Sequence, residues 1–160
     1  MKKEFITTVY EFESDKEFSE EYQIIIQKAK EATQKAYAPY SKFNVGACVL
    51  LANGEIFTGN NQENAAYPSG LCAERVALFY ANSNYPNVAV KAIAVCASNN
   101  NGFLASPVPP CGACRQVMLE SEMRFESPIE VLLIGKNSIQ LIKDTGQLLP
   151  LNFEKSNLSE

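Results

Sequence analysis

Three of the five cysteines of this 160-residue chain fall in two short segments, Cys72-Ala73-Glu74-Arg75 and Pro110-Cys111-Gly112-Ala113-Cys114. Cys111 and Cys114 are spaced so that on a helix they share one face, which lets both sulfurs reach one ion. Cys72, opening a second helix, can supply a third ligand. Three protein ligands with an open fourth position are the catalytic form of a zinc site, whereas structural zinc is closed by four. Helix starts present partial positive charge and lower thiol pKa values, so two converging starts favour thiolates. Zinc with three thiolates carries a formal charge of −1, and a cation beside the sulfurs would keep the metal electrophilic. Arg75 stands where it can hydrogen-bond them. Glu74, two residues from Cys72, can face a water at the metal without being a ligand. Taken alone, the Cys-x-x-Cys also fits a thioredoxin-like redox pair, or a structural zinc knuckle with a fourth ligand. Cys48 and Cys96 lie inside strand-like segments and read as small buried hydrophobes.

The sequence contains no histidine. That excludes a Ser-His-Asp triad, a Cys-His dyad, an H-E-x-x-H zinc site and a histidine general base. A catalytic proton carrier must then be a carboxylate or another non-imidazole group. The net charge of −4 and the sequence pI of about 5.0 argue against a general electrostatic grip on nucleic acid or on an anionic membrane. No apolar stretch approaches the roughly 20 residues that span a bilayer. Met1-Lys2-Lys3-Glu4-Phe5 is not followed by the apolar run of a secretory signal. A cytoplasmic, reducing compartment is expected, where clustered cysteines serve as metal ligands more readily than as disulfides.

The elements that must position these residues follow from periodicity. Residues 16–37 predict a helix, with Phe18, Tyr22, Ile25, Ala29, Ala32 and Ala36 at three- and four-residue spacing and a stop before Pro39. Val45–Leu51 and Glu55–Gly59 predict two strands joined at Asn53-Gly54. Helices are expected over 72–81 and 111–121. Strands are expected over 88–97, an almost unbroken apolar run suited to burial on both faces, and over 129–134 and 139–142. One domain covers 1–160, with residues 1–15 left as a strand-like segment or an arm. The order predicts an α/β fold, a sheet covered on both faces by helices.

Cys-Ala-Glu-Arg followed by Pro-Cys-x-x-Cys resembles the zinc nucleoside and nucleobase deaminases, whose pattern ends in P-C-x-x-C and includes a glutamate that is not a ligand. Further blocks resemble cytidine deaminase: Tyr40-Ser41-Lys42-Phe43-Asn44-Val45-Gly46-Ala47, then residues 59–68, then Leu71–Arg75, then Pro109–Val117. Cys72 stands where many members carry histidine, so the chain is similar to the small, all-cysteine branch. The resemblance implies a three-layer α/β/α fold with a mixed five-stranded sheet. It implies one zinc per chain on Cys72, Cys111 and Cys114, and Glu74 as proton shuttle. Asn61 and Glu63 would grip the ribose 3′-hydroxyl, Phe43 would pack on the pyrimidine, and Ala73 would offer a backbone contact to the base. Tyr67 would reach a neighbouring subunit's site in a homotetramer with sites at subunit contacts. Arg75 remains the cation beside the sulfurs. The implied activity is hydrolytic deamination of cytidine and deoxycytidine to uridine and deoxyuridine with release of ammonia, a pyrimidine salvage reaction on a free nucleoside. The rival readings are a blasticidin-S-type deaminase and a non-catalytic zinc or thiol-redox module, for which Glu74 would have no use. Gln62 departs from the usual apolar residue of the ribose block. The stretch 99–107 is long for the family, and Phe153 follows Leu148-Leu149-Pro150 as a terminal aromatic does there.

Overall fold

The chain was analysed as a computed structural model, which describes residues 1–158. Asn53-Gly54 turns the chain as its chemistry requires, with Gly54 at φ 87°, a conformation that costs glycine nothing. The turn joins β2 (Asn44–Leu51) to β3 (Ile56–Asn60), which pair antiparallel. The remaining strands are β1 (Tyr10–Phe12), β4 (Val90–Asn99), β5 (Gly102–Phe103), β6 (Glu130–Ile134) and β7 (Ile139–Ile142), and the long helices are α1 (Glu20–Ala32), α2 (Ala73–Asn84) and α3 (Gly112–Phe125). The sheet order is β1-β7-β6-β4-β2-β3, with β5 on β4. Among the described strands only β4 and β6 pair in parallel, and α3 lies in the connection between them.

The expected five strands are therefore seven. β7-β6-β4-β2-β3 form the anticipated frame, and two short strands extend it. β1 adds antiparallel to β7, Tyr10 opposite Leu141. Thr7 and Thr8 tie the segment before it to Gln147. β5 folds back on β4 within the long 99–107 stretch, which then crosses Gly135; a Cβ there would sit 2.7 Å from the Pro107 nitrogen.

Alternation along the strands sorts the core into two layers. Cys48, Leu50, Ala92, Ala94 and Cys96 face α1, where Ile25, Ile26 and Ala29 are buried against them. Ala47, Val49, Leu51, Ile93 and Val95 face α2 and α3, with Ala77, Leu78, Cys114 and Met118. Cys48 and Cys96 are thus core residues, as their strand context predicts, and burial pushes their thiols up to about 12 and about 11.

α1 is shorter than the 16–37 expectation. Ser14 caps a separate 3-10 turn at Asp15–Glu17, with Glu17 closing the capping box, and the chain re-extends at Phe18 before α1 begins. At the other end a 3-10 turn, Thr33–Lys35, follows α1. α2 and α3 run beyond Ala81 and Ser121 to Asn84 and Phe125, α3 stopping where Glu126 turns left-handed at φ 50°. Gly59 lets α2 lie directly on β3: a Cβ there would sit 2.5 Å from the Ala77 nitrogen. That close approach sets the height at which α2 begins, and so the position of Cys72.

Candidate active site and metal centre

Cys72 is the N-cap of α2 and Cys111 the N-cap of α3. The two helix starts face each other, and Cys114 lies on the first turn of α3. The sulfurs are 3.8 Å apart for Cys72–Cys111 and 3.5 Å for Cys111–Cys114, and all three lie within 4.8 Å of one another. Tetrahedral zinc with Zn–S bonds near 2.3 Å needs sulfurs about 3.8 Å apart. The donor set therefore fits zinc in both geometry and softness. Among the described residues no other group of three His, Cys, Asp or Glu side chains comes so close.

The electrostatics favour a cation. A hydrogen bond from Cys114 and then the Arg75 guanidinium pull the Cys72 thiol down to about 5 against its burial. Cys114, buried and bonded to that thiolate, is pushed far above the ordinary thiol range. One negative sulfur is favoured, and a metal bound there would displace the protons of the others. Arg75 approaches Cys72 Sγ through Nη2 at 3.6 Å, which is the sulfur contact expected of it, and its Nε is buried with no protein partner.

Glu74 begins α2 beside the cluster and is 4% exposed. Burial raises its pKa, and the nearby Cys72 thiolate adds to the rise. Glu74 shares a cavity of about 440 Å³ with Cys72, Cys111, Phe43, Asn61, Glu63 and Ser41, walled by Val45, Val95, Ala97, Val108 and Pro109. Asn61 and Glu63 both border it while Gln62 does not, as alternation on an extended segment predicts. The backbone of Gln62 exchanges hydrogen bonds with Leu71, so its change of type leaves the segment's pairing intact.

Asn61 is held by the backbone it faces: Oδ1 accepts from Val45 N–H at 2.8 Å and Nδ2 donates to the Phe43 carbonyl at 2.9 Å. Glu63 accepts from Tyr40 N–H at 2.9 Å and from Ser41 N–H and hydroxyl. The Ser41 hydroxyl, first among these, holds its carboxyl below the usual range. Ala73 and Tyr67 lie outside the inner cavity. Ala73 has its side chain in the core and offers only its backbone, at the first turn of α2. Tyr67 is 77% exposed, packs edge-on to Tyr40 at 6.3 Å, and borders an outer groove of about 570 Å³ that also reaches Cys72 and Arg75. Phe153 is exposed, its carbonyl accepting from Gln116. Two residues stand out that motif reading left without a role. Ser41 bridges Glu63 and Phe43. Arg115 donates to the carbonyls of Pro110 and Leu148, both at 2.8 Å, and so fixes the turn before Cys111.

Residues 19–125 match the cytidine and deoxycytidylate deaminase zinc-binding region. The chain belongs to this deaminase family. A cytidine deaminase of Halalkalibacterium halodurans is 50% identical over 98 residues, 61% of this chain and 70% of that protein. One from Sporosarcina psychrophila is 41% identical over 135 residues, 84% of this chain and 93% of its own length. Among solved structures, a cytidine deaminase from Burkholderia pseudomallei aligns with TM-score 0.69 at 40% identity, over 82% of this chain and 98% of that one. The deaminase from Mycobacterium tuberculosis gives 0.66 at 30% identity, over 83% and 97%. The matched zinc-binding region contains Cys72, Cys111 and Cys114, whose clustered sulfurs could hold a zinc ion. The chain is therefore a zinc enzyme acting on a C–N bond, with the mixed-sheet fold of the cytidine deaminases.

Proposed function

We propose that the chain hydrolyses cytidine and deoxycytidine to uridine and deoxyuridine with release of ammonia, as a step of pyrimidine salvage. The observation that carries this reading is the buried Glu74 set beside three convergent sulfurs in one cavity with Phe43, Asn61 and Glu63. Relatives named cytidine deaminase at up to 50% identity support it.

Cys72, Cys111 and Cys114 would hold zinc, which when bound would supply Lewis acidity that lowers the pKa of a water. Glu74 takes the proton of the attacking water and delivers it to the pyrimidine N3. Once the water oxygen has bonded to C4, Glu74 takes the remaining hydroxyl proton and passes it to the amino group; the C4–N bond breaks, ammonia leaves and the C4 carbonyl forms. Phe43 packs on the pyrimidine, and the free N–H at Ala73 offers the base a backbone contact. Asn61 and Glu63 hold the sugar 3′-hydroxyl, so a free nucleoside is selected. Arg75 offsets thiolate charge by its bond to Cys72.

An ultraviolet assay of cytidine, deoxycytidine, cytosine and blasticidin S tests the assignment. The two nucleosides are expected to be consumed with kcat/KM at least about tenfold above the other two, the factor that one hydrogen bond of about 1.4 kcal/mol net supplies. A preference for blasticidin S or free cytosine would overturn it.

The same reading makes the chain a homotetramer in which Tyr67 projects toward a neighbour's site. Its support is the outward, highly exposed Tyr67 beside the outer groove. Light scattering after size exclusion should give four times the 17.6 kDa chain mass, and a monomer mass would remove Tyr67 from any site. A cytoplasmic setting agrees with five free cysteines. No helix among the described residues is long and apolar enough to cross a membrane.

A further inference from the structure

Ser41 lies between the two groups proposed to hold the nucleoside and touches both. Its hydroxyl donates to Glu63 Oε1 and accepts from the Phe43 N–H at 3.0 Å. The turn that presents it is closed by Lys42 N–H on the Ala38 carbonyl at 3.1 Å, with Lys42 left-handed at φ 56°. Glu63 Oε2 takes two backbone N–H groups, from Tyr40 at 2.9 Å and Ser41 at 3.3 Å.

An ionised carboxylate has about four lone-pair positions. Three are used here, two on Oε2 and one on Oε1. The free position is on Oε1, and the Ser41 hydroxyl sets where it points. Asn61 is reduced in the same way: Val45 and Phe43 take one acceptor site and one donor of its amide, leaving one Nδ2 hydrogen and one Oδ1 acceptor position. The two side chains thus have a free acceptor and a free donor, which is what one ligand hydroxyl needs. Ser41, Phe43, Val45, Asn61 and Glu63 all border the inner cavity.

We propose that Ser41 is a positioning residue, whose hydroxyl fixes the Glu63 carboxylate so that its remaining acceptor site on Oε1 meets the sugar hydroxyl. This rests on the reading of Glu63 as the sugar contact. A serine that merely stiffened the loop would alter all substrates alike, whereas positioning acts through a single ligand hydroxyl. Ser41 is exposed, so its truncation to alanine opens no core cavity.

The test compares cytidine with 3′-deoxycytidine for Ser41→Ala, Ser41→Thr and Glu63→Gln, with melting temperatures recorded for each. Ser41→Ala should raise KM for cytidine about tenfold, with most of the change in KM rather than kcat, because a bond that holds the carboxylate for binding is lost. KM for 3′-deoxycytidine should stay at its wild-type value, and Ser41→Thr, which keeps a hydroxyl, should restore cytidine binding. Glu63→Gln should show the same dependence on the 3′-hydroxyl. If Ser41→Ala weakens both substrates equally while Glu63→Gln still discriminates, the role of Ser41 is overturned and that of Glu63 stands. If Glu63→Gln also weakens both equally, the two assignments fall together.

Discussion

Replacing Glu74 by Gln should leave zinc content and melting temperature near wild type and lower kcat by about a thousandfold, within the range expected for loss of a positioned acid–base group. The substitution keeps shape and hydrogen-bonding capacity, and removes only the ability to take and return a proton. No second group in the cavity can take over. Glu63, the other carboxylate bordering it, is engaged by Tyr40 and Ser41. The chain has no histidine to substitute. Burial makes the environment of Glu74 selective: at 4% exposure it exchanges protons with what enters the cavity rather than with bulk water. Steady-state kinetics with metal analysis on the same preparation decides the matter. A variant with full zinc that keeps more than about a tenth of wild-type kcat, far above the residual rate general acid–base loss allows, would remove Glu74 as the proton carrier.

Replacing Cys114 by Ser should abolish stable zinc binding and with it all measurable turnover. Cys114 is fully buried, its sulfur 3.5 Å from that of Cys111 and within 4.8 Å of that of Cys72. A serine hydroxyl does not ionise near neutral pH and makes a poor ligand. Wild-type protein stripped by a chelator should melt lower, and added zinc should restore it; ligand at a thousand times Kd contributes about 4 kcal/mol through linkage. In Cys114→Ser the melting temperature should no longer respond to zinc. Cys48→Ala provides the contrast, since Cys48 belongs to the layer against α1 and should keep its metal while losing some stability. If Cys114→Ser binds zinc stoichiometrically, the three-sulfur assignment is wrong. If Cys48→Ala loses zinc, the separation of core from ligand cysteines is wrong.

The parts of the fold that were legible in the sequence are those decided locally. Asn53-Gly54 specifies its turn through a left-handed backbone, and the 88–97 run announces a strand buried on both faces before any partner is known. Both helix starts that carry cysteines were readable because proline and glycine punctuate them. The pairing of the two extra strands was not, although residues 1–15 read as strand-like. β1 exists because β7 offers an open edge some 130 residues away in sequence, and no pattern within Tyr10–Phe12 encodes that pairing. The length of α1 was obscured by its flanking 3-10 turns, which preserve the helical spacing of apolar residues while breaking the helix. In the site, residue types carried the zinc and proton chemistry. The role of Ser41 was hidden because it is exercised through Glu63, 22 positions away in sequence and adjacent only after folding.

The placement of sulfurs on the first turns of two separate helices has a mechanical consequence. A metal held there is a cross-link between segments about 39 positions apart, closing a loop that contains all of α2 and β4. In the chain-entropy picture, fastening such a loop is worth on the order of 4 kcal/mol, most of it through restriction of the unfolded chain. The ion that activates water would then double as a rivet for the α2–α3 layer. Loss of metal would loosen that layer first and leave the layer beneath α1, which holds no ligand, packed as before.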